Sequence, residues 1–332
     1  MTTFRRLGVS LLLGISVLFG NIGSVMAASN AYAAKYITSI TYMNMGTADA
    51  NLSVTMYDAD TTGTVDYPLT NADGSVRSIA PNASASLSVS SIAGLNTTWK
   101  GGAVISANQP LVATVVQVSN DAVIKARPVS NAFSSSDGGT KIIIPTVLKT
   151  CFADSLTTRF NVQNVSGGSV TLNIALKWPN GTAASTTPTI GTQTINAGDV
   201  VSIDMGTLTI PTTGIGYTPP SGCAFNGSAE ITATGAIVAT ALEASTTNRY
   251  ANSFEGFKGL PTDGASTVYM PSALCNINYG DGTQSTSYAI HNLAGSTNPV
   301  TVTYSYQVRA GDGTLGAVTS KAVTLSIPAN SK

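Results

Sequence analysis

Phe160-Asn-Val-Gln-Asn164-Val-Ser166 leads, four residues on, into Val170-Thr-Leu-Asn-Ile-Ala-Leu176. In the second run Leu172, Ile174 and Leu176 fall on every other residue. Successive side chains of a strand point to opposite faces, so this period of two describes a half-buried strand with one apolar face. Two more stretches share the pattern. Ile40-Thr-Tyr-Met-Asn44-Met-Gly46 precedes Leu52, Val54 and Met56, and Tyr288-Ala-Ile-His-Asn292-Leu-Ala294 precedes Val300, Val302, Tyr304 and Tyr306. The common asparagine recurs after 164 − 44 = 120 and 292 − 164 = 128 residues. A self-similarity of that period is a repeat of domain size.

The likeness continues outward from each strand. Turn residues follow it at Asp58 to Gly63, at Pro179-Asn180-Gly181 and at Gly311-Asp312-Gly313. Next come Ile79-Ala-Pro-Asn, Ile195-Asn-Ala-Gly and Ile327-Pro-Ala-Asn. The first two repeats then run on together. Trp99-Lys-Gly-Gly-Ala103 matches Phe225-Asn-Gly-Ser-Ala229, and Pro110-Leu-Val-Ala-Thr-Val-Val-Gln-Val118 matches Ala236-Ile-Val-Ala-Thr-Ala-Leu-Glu-Ala244. The latter strand is nearly continuous in apolar and small residues, so it should lie in mid-sheet with little solvent on either face. Asn131 to Phe133 and Asn252 to Phe254 close the two repeats, and the Gly-rich stretches 134–140 and 258–266 read as short linkers.

Many short strands divided by turns, with no helical stripe beyond the N-terminus, predict an all-β chain of tandem β-sandwich domains. The expected division is an export segment over 1–27, sandwich repeats over 35–135 and 140–257, and a partial repeat over 266–332. Val54, Ile174, Val112 and Val238 should be buried, and Ser53, Thr55 and Lys177 exposed. The third repeat shows no counterpart of the Trp/Phe-Gly-Ala strand or of the Val-rich strand. Its row of Val300, Val302, Tyr304, Tyr306 and Val308 would then lack an opposite sheet, and open edges and faces invite pairing. A partner chain, the second repeat or a longer reading frame could each supply the cover. Association through residues 267–332, with a second copy or with other envelope proteins, is the expectation.

Arg5 and Arg6 stand before the uncharged apolar run Leu7 to Phe19, and Val25 and Ala27 suit the −3 and −1 positions of a cut before Ala28. The run is too short to span a bilayer, so no membrane span is expected after signal removal. Charged residues make up 10% of the chain and the formal net charge is zero, which argues against a nucleic-acid partner. The 43% hydrophobic content argues against disorder.

An extracellular or cell-surface location favours disulfides. Of the three cysteines, Cys151 begins the second repeat and Cys223 precedes its second-half strand. Cys275 begins the third, and its partner would belong to the missing half. The expected disulfide is Cys151–Cys223, with Cys275 unpaired or intermolecular; three free thiols are the alternative.

His291 is the only histidine, and Met43 and Gln163 occupy its place in the other repeats, as at a surface strand position. Glu230 aligns with Val104 and Glu243 with Gln117, so the repeat requires no acid at either place. No enzyme and no cofactor are expected. Asp58-Ala-Asp60-Thr-Thr-Gly63 resembles the start of a calcium loop but has Thr62 where a third carboxylate would stand, and reads as a solvated turn. Asn82, Asn96 and Asn226 head N-glycosylation sequons of the kind that arise by chance in a Ser/Thr-rich chain.

The Tyr-x-Asn-x-Gly strand, the Ile-Ala-Pro-Asn turn, and Trp-x-Gly-Gly-Ala-Val before Pro-Leu-Val-Ala-x-Val-x-Gln-Val resemble tandem-repeat secreted surface proteins of filamentous, Chloroflexi-like bacteria. More broadly, residues 36 to 332 look like bacterial immunoglobulin-like repeat proteins. The resemblance implies immunoglobulin-like sandwiches, the last one incomplete, and a location outside the cell. The function expected is structural or adhesive, in the envelope or extracellular matrix. One alternative is a glycan-binding module, with Tyr36, Tyr42, Tyr57 and Trp99 as candidate sugar-facing aromatics. The other is a filament subunit assembled by strand complementation.

Overall fold

The computed structural model describes residues 36–61, 63–70, 75–96, 98–119, 126–152, 155–245, 251–270, 274, 277–278, 283–295, 300–325 and 327–332. The expected export segment and Cys275 lie outside these residues. Within them the protein is all-β, with antiparallel pairing and helices confined to three-residue 3-10 turns.

The first unit contains β1 (Tyr36–Asn44), β2 (Ala50–Asp58), β3 (Thr64–Pro68), β4 (Ser78–Ile79), β5 (Ser84–Ser88), β6 (Gly101–Ala107), β7 (Leu111–Ser119) and β8 (Val129–Asn131). One sheet runs β5-β1-β7-β8; the other is built around β2, which pairs β3, β4 and β6. Ile40 and Tyr42 of β1 meet Leu52, Val54 and Met56 of β2 in one hydrophobic cluster, so the two sheets face each other across it. The alternation in β2 puts Leu52, Val54 and Met56 inward and leaves Asn51 and Ser53 exposed.

The second unit contains β9 (Gly139–Lys149), β10 (Leu156–Asn164), β11 (Val170–Lys177), β12 (Ala183–Ala184), β13 (Thr192–Ile195), β14 (Val200–Asp204), β15 (Phe225–Ser245), β16 (Ala251–Glu255) and β17 (Phe257–Lys258). β15 passes through both layers. Its first part lies between β11 and β9, and its second part between β10 and β16. Residues of both layers, including Leu172, Ile174, Phe160 and Val162, share one core with Trp178, whose ring centre lies 4.6 Å from that of Phe225.

Strand partners correspond between the units. Ile40 faces Val115 as Phe160 faces Ala241, and Met56 faces Ala103 as Leu176 faces Ala229. Where the second unit has one long strand, the first has two, β6 and β7. Pro110 stands at the break, and a proline has no N–H for the ladder. The matching place in β15 holds Gly235-Ala236, and there the strand turns from one layer to the other without ending. One sequence match is corrected. Asn131 lies opposite Thr114 and Glu255 opposite Thr240, so Glu255, rather than Asn252, takes the place of Asn131.

The C-terminal segment adds β18 (Ile277–Asn278), β19 (Thr283–Gln284), β20 (Val300–Tyr306) and β21 (Thr319–Leu325). β20 pairs with β21 and, among the described residues, with no other strand. Tyr306 is 50% and Val308 67% exposed there.

Val54, Ile174 and Val238 are buried and Ser53 is exposed, as expected. Thr55 and Lys177 are half-buried rather than exposed. Val112 is 53% exposed, contrary to the expectation of burial. Its counterpart Val238 is covered because the first unit lies on that face, where Val238 shares a small cavity with Gly101 and Gly102. No described residue covers the equivalent face of β7 to that extent.

Candidate functional site

The shared asparagines form one device, made three times. Asn44 donates from Nδ2 to the carbonyls of Ala48 (2.8 Å) and Ile79 (2.9 Å), and its Oδ1 accepts from the Gly46 N–H (2.8 Å). Asn164 donates to Gly168 (2.8 Å) and Asn196 (2.8 Å) and accepts from the Ser166 N–H (2.9 Å). Asn292 donates to Ile327 (3.0 Å) and accepts from the Ala294 N–H (3.0 Å). All three are buried. An amide has both donors and an acceptor, so it can satisfy two backbone carbonyls and one N–H at once. The asparagine thereby ties the end of its strand to the Ile-x-x-x turn 31 to 35 residues downstream.

Cys151 and Cys223 are joined in a disulfide, closing a 72-residue interval around the base of the second unit. Both sulfurs sit with Leu148 and Leu156 in a small apolar cluster.

The first and second units are in close contact. An added Cβ on Gly102 would lie 2.5 Å from Val200 Cγ2, and one on Gly198 would run into the Tyr57 ring. The Asn131 N–H donates to Glu255 Oε1 at 2.8 Å, and Tyr36 and Ala126 pack with Leu242, Ala244 and Ala251. Between them lies a cavity of about 80 Å³ lined by Gly101, Gly102, Gln163, Val200 and Val238 among others. Gly198 also has φ +82°, a conformation costly for other residues. Gly198→Ala is therefore expected to displace the Tyr57 ring and loosen the two units. Small-angle scattering should record a wider spread of inter-unit arrangements, with the disulfide-bonded unit unfolding within about 1–2 kcal/mol of the parent.

The second unit also carries the C-terminal segment, which lies against β15 and reaches towards Glu243 through Lys332. Glu230 of β15 accepts from Lys177 Nζ at 2.8 Å and faces Lys141 Nζ at 3.1 Å. Over this face lie Asn330, reached by Lys141 at 3.5 Å, the fully buried Ser331, and Lys332, whose Nζ donates to Asn226 Oδ1 at 2.8 Å. The Asn292 N–H donates to the Ser331 carbonyl at 2.9 Å. Burial raises the Glu230 pKa, but the hydrogen bonds from Lys177 and Lys141 outweigh it and hold the carboxyl below its usual range. Burial brings Lys332 down to about 8.

His291 is half-buried beside this group rather than on a surface strand, and neither ring nitrogen has a hydrogen-bond partner among the described residues. Burial first, then the neighbouring Lys177 ammonium, brings its pKa from 6.5 to about 4, with Glu230 opposing and Lys141 and Lys332 assisting. Between those two pH values the undocked segment binds a proton that the docked segment does not. Docking should weaken as pH falls through that window, by at most about 3 kcal/mol. Hydrogen exchange at residues 327–332 between pH 7 and 4.5 measures this, and His291→Gln should flatten the dependence.

The aromatic candidates are spread among packing roles. Tyr42 is fully buried, Tyr36 and Tyr57 lie at the contact between units, and Trp99 packs beside the first core. In the calcium-like turn the Asp58 carboxylate accepts from the Asp60 N–H, and Asp60 pairs with Lys100 at 2.8 Å. Sequence reasoning missed Gly102, Gly198, Lys141 and Lys332. The Gly101-Gly102 doublet was the one signal available, since a glycine inside a strand marks a close approach. Among the described residues no helix is long and apolar enough to cross a membrane. The chain matches no known protein-family model, no curated protein and no solved structure.

Proposed function

We propose that the protein is a secreted or cell-surface structural component of the envelope or extracellular matrix, a stiff spacer of immunoglobulin-like β-sandwich repeats whose exposed strands and loops make contacts. The observation that carries this reading is the tight seating of the first unit on the second. A bead-on-string array needs no glycine at its junctions, whereas here Gly102 and Gly198 bring the faces within van der Waals reach. Rigid junctions transmit position along the molecule, which suits a spacer. The nearly uncharged, Ser/Thr/Asn-rich composition fits a surface wetted without strong fields. The disulfide between Cys151 and Cys223 suits an oxidising location.

Labelling intact cells with a membrane-impermeant reagent, followed by N-terminal sequencing, tests the reading. A labelled chain beginning at or near Ala28 is expected. Unlabelled protein retaining Met1 in the cytoplasmic fraction would overturn it.

A further inference from the structure

In the second unit β9 completes the layer by pairing with the first part of β15: Ile142, Ile143 and Ile144 lie opposite Ile231, Glu230 and Ala229. All three isoleucines are buried, and so are Ala229 and Ile231. The matching strand of the first unit, β6, pairs with β2 and with no other strand among the described residues. Its Ala103 and Ile105 occupy the places of Ala229 and Ile231, 126 residues earlier, yet are only half-buried, and Val104 is 37% exposed. Among the described residues β6 therefore carries no second strand where the second unit has β9, while its Gly101-Gly102 end lies against β14 and β10.

The C-terminal segment holds a stretch of the β9 sequence type that pairs in no sheet among the described residues. β9 follows a capped turn in which the Ser134 N–H donates to the Asp137 carboxylate at 2.7 Å and the Asp137 N–H to the Ser134 carbonyl at 3.1 Å. The same turn stands 126 residues later, with Leu260 N–H to the Asp263 carboxylate at 2.8 Å and Asp263 N–H to the Leu260 carbonyl at 2.9 Å. Ile142-Ile143-Ile144-Pro145 after the first turn corresponds to Val268-Tyr269-Met270-Pro271 after the second. Val268, Tyr269 and Met270 belong to no strand and are 66%, 90% and 41% exposed.

We propose that Thr267–Met270 of one copy adds as a strand to the free edge of β6 in a second copy, in the register that β9 takes beside β15. Met270 then lies opposite Ala103, Tyr269 opposite Val104, Val268 opposite Ile105 and Thr267 opposite Ser106. Val268 and Met270 enter the first core as Ile142 and Ile144 enter the second. The main chain supplies hydrogen bonds and the alternate side chains supply specificity. Donor and acceptor are different surfaces: the acceptor is the edge of β6 in the first unit, which lies against β10, β14, β16 and the second part of β15, while the donor leaves the second unit beside β9 and β17. A contact between unlike surfaces propagates head to tail. The inference rests on the proposed export. β9 precedes β10 by 17 to 7 residues, and the same interval before β1 is 36 − 17 = 19 to 36 − 7 = 29, largely within the segment expected to be removed on export.

The exported protein, purified and studied by size-exclusion chromatography with light scattering, should form oligomers that lengthen with concentration. The exposed-site double variant Val268→Asp/Met270→Asp should be monomeric with an unchanged unfolding midpoint. In a Cys275→Ser background, mixing an Ala103→Cys chain with a Met270→Cys chain should give an interchain disulfide that neither chain forms alone. A wild-type monomer at high concentration, oligomers that survive the double variant, or failure to cross-link would overturn the proposal. A monomer that is nonetheless labelled on intact cells overturns strand addition and leaves the surface role standing.

Discussion

Replacing Asn164 with alanine is expected to destabilise the second unit by about 3–5 kcal/mol, one of the largest effects of any single change in the chain. The side chain is 1% exposed and serves the carbonyls of Gly168 and Asn196 and the N–H and hydroxyl of Ser166. Each backbone group left buried without a partner costs about 1–3 kcal/mol, part of which an entering water can restore. Asn164→Asp should cost as much, because a carboxylate accepts but cannot donate to carbonyls. The two tryptophans make the measurement local. Trp178 is fully buried in the second core and Trp99 packs beside the first, so urea unfolding of Trp99→Phe and Trp178→Phe backgrounds separates the units. The Asn164 change should move the Trp178 transition and leave that of Trp99 nearly in place. Asn44→Ala should do the reverse. A stable Asn164→Ala protein would mean that these turns are held by packing alone.

Cys223→Ser, read the same way, should lower the stability of the second unit by about 4 kcal/mol. Its bond to Cys151 closes a 72-residue interval, and the entropy removed from the unfolded chain grows with the logarithm of that length. The sulfurs lie in an apolar cluster with Leu148, so the serine hydroxyl adds a small burial cost of its own. Reduction of the parent with a thiol should produce the same shift. An unchanged Trp178 transition after reduction would show that the unfolded chain is already constrained in this region by other means.

Much of the architecture was legible because period-two alternation in β2 and β11 is a local property. An apolar face facing away from a polar one admits few arrangements, and both strands bury Leu52, Val54, Met56 and Leu172, Ile174, Leu176 as their pattern implies. The cysteine pairing was legible because the internal match placed Cys151 and Cys223 in one unit. The asparagine was visible as a recurring letter, while its purpose was hidden: the carbonyls it serves belong to a turn over 30 residues away. His291 was misplaced because the covering of its position comes from the last residues of the chain, through Lys332 and the Lys141–Glu230–Lys177 group.

The sequence by itself determined the alternating strands β2 and β11, their inward faces and the turns that follow them, and it favoured the Cys151–Cys223 pairing, because each follows from residue spacing or from the chemistry of a single side chain. Only the tertiary structure decided which outward faces are covered. Val112 and Val238 stand at matched positions in matched strands; one is 53% exposed and the other 4%, because the first unit lies on Val238. Ala103 and Ala229 differ in the same way, since β9 lies beside Ala229 while the edge of β6 next to Ala103 carries no second strand among the described residues. Burial is a property of what comes to rest against a surface. No pattern within a strand encodes its neighbour, so two strands of nearly one sequence end in different surroundings.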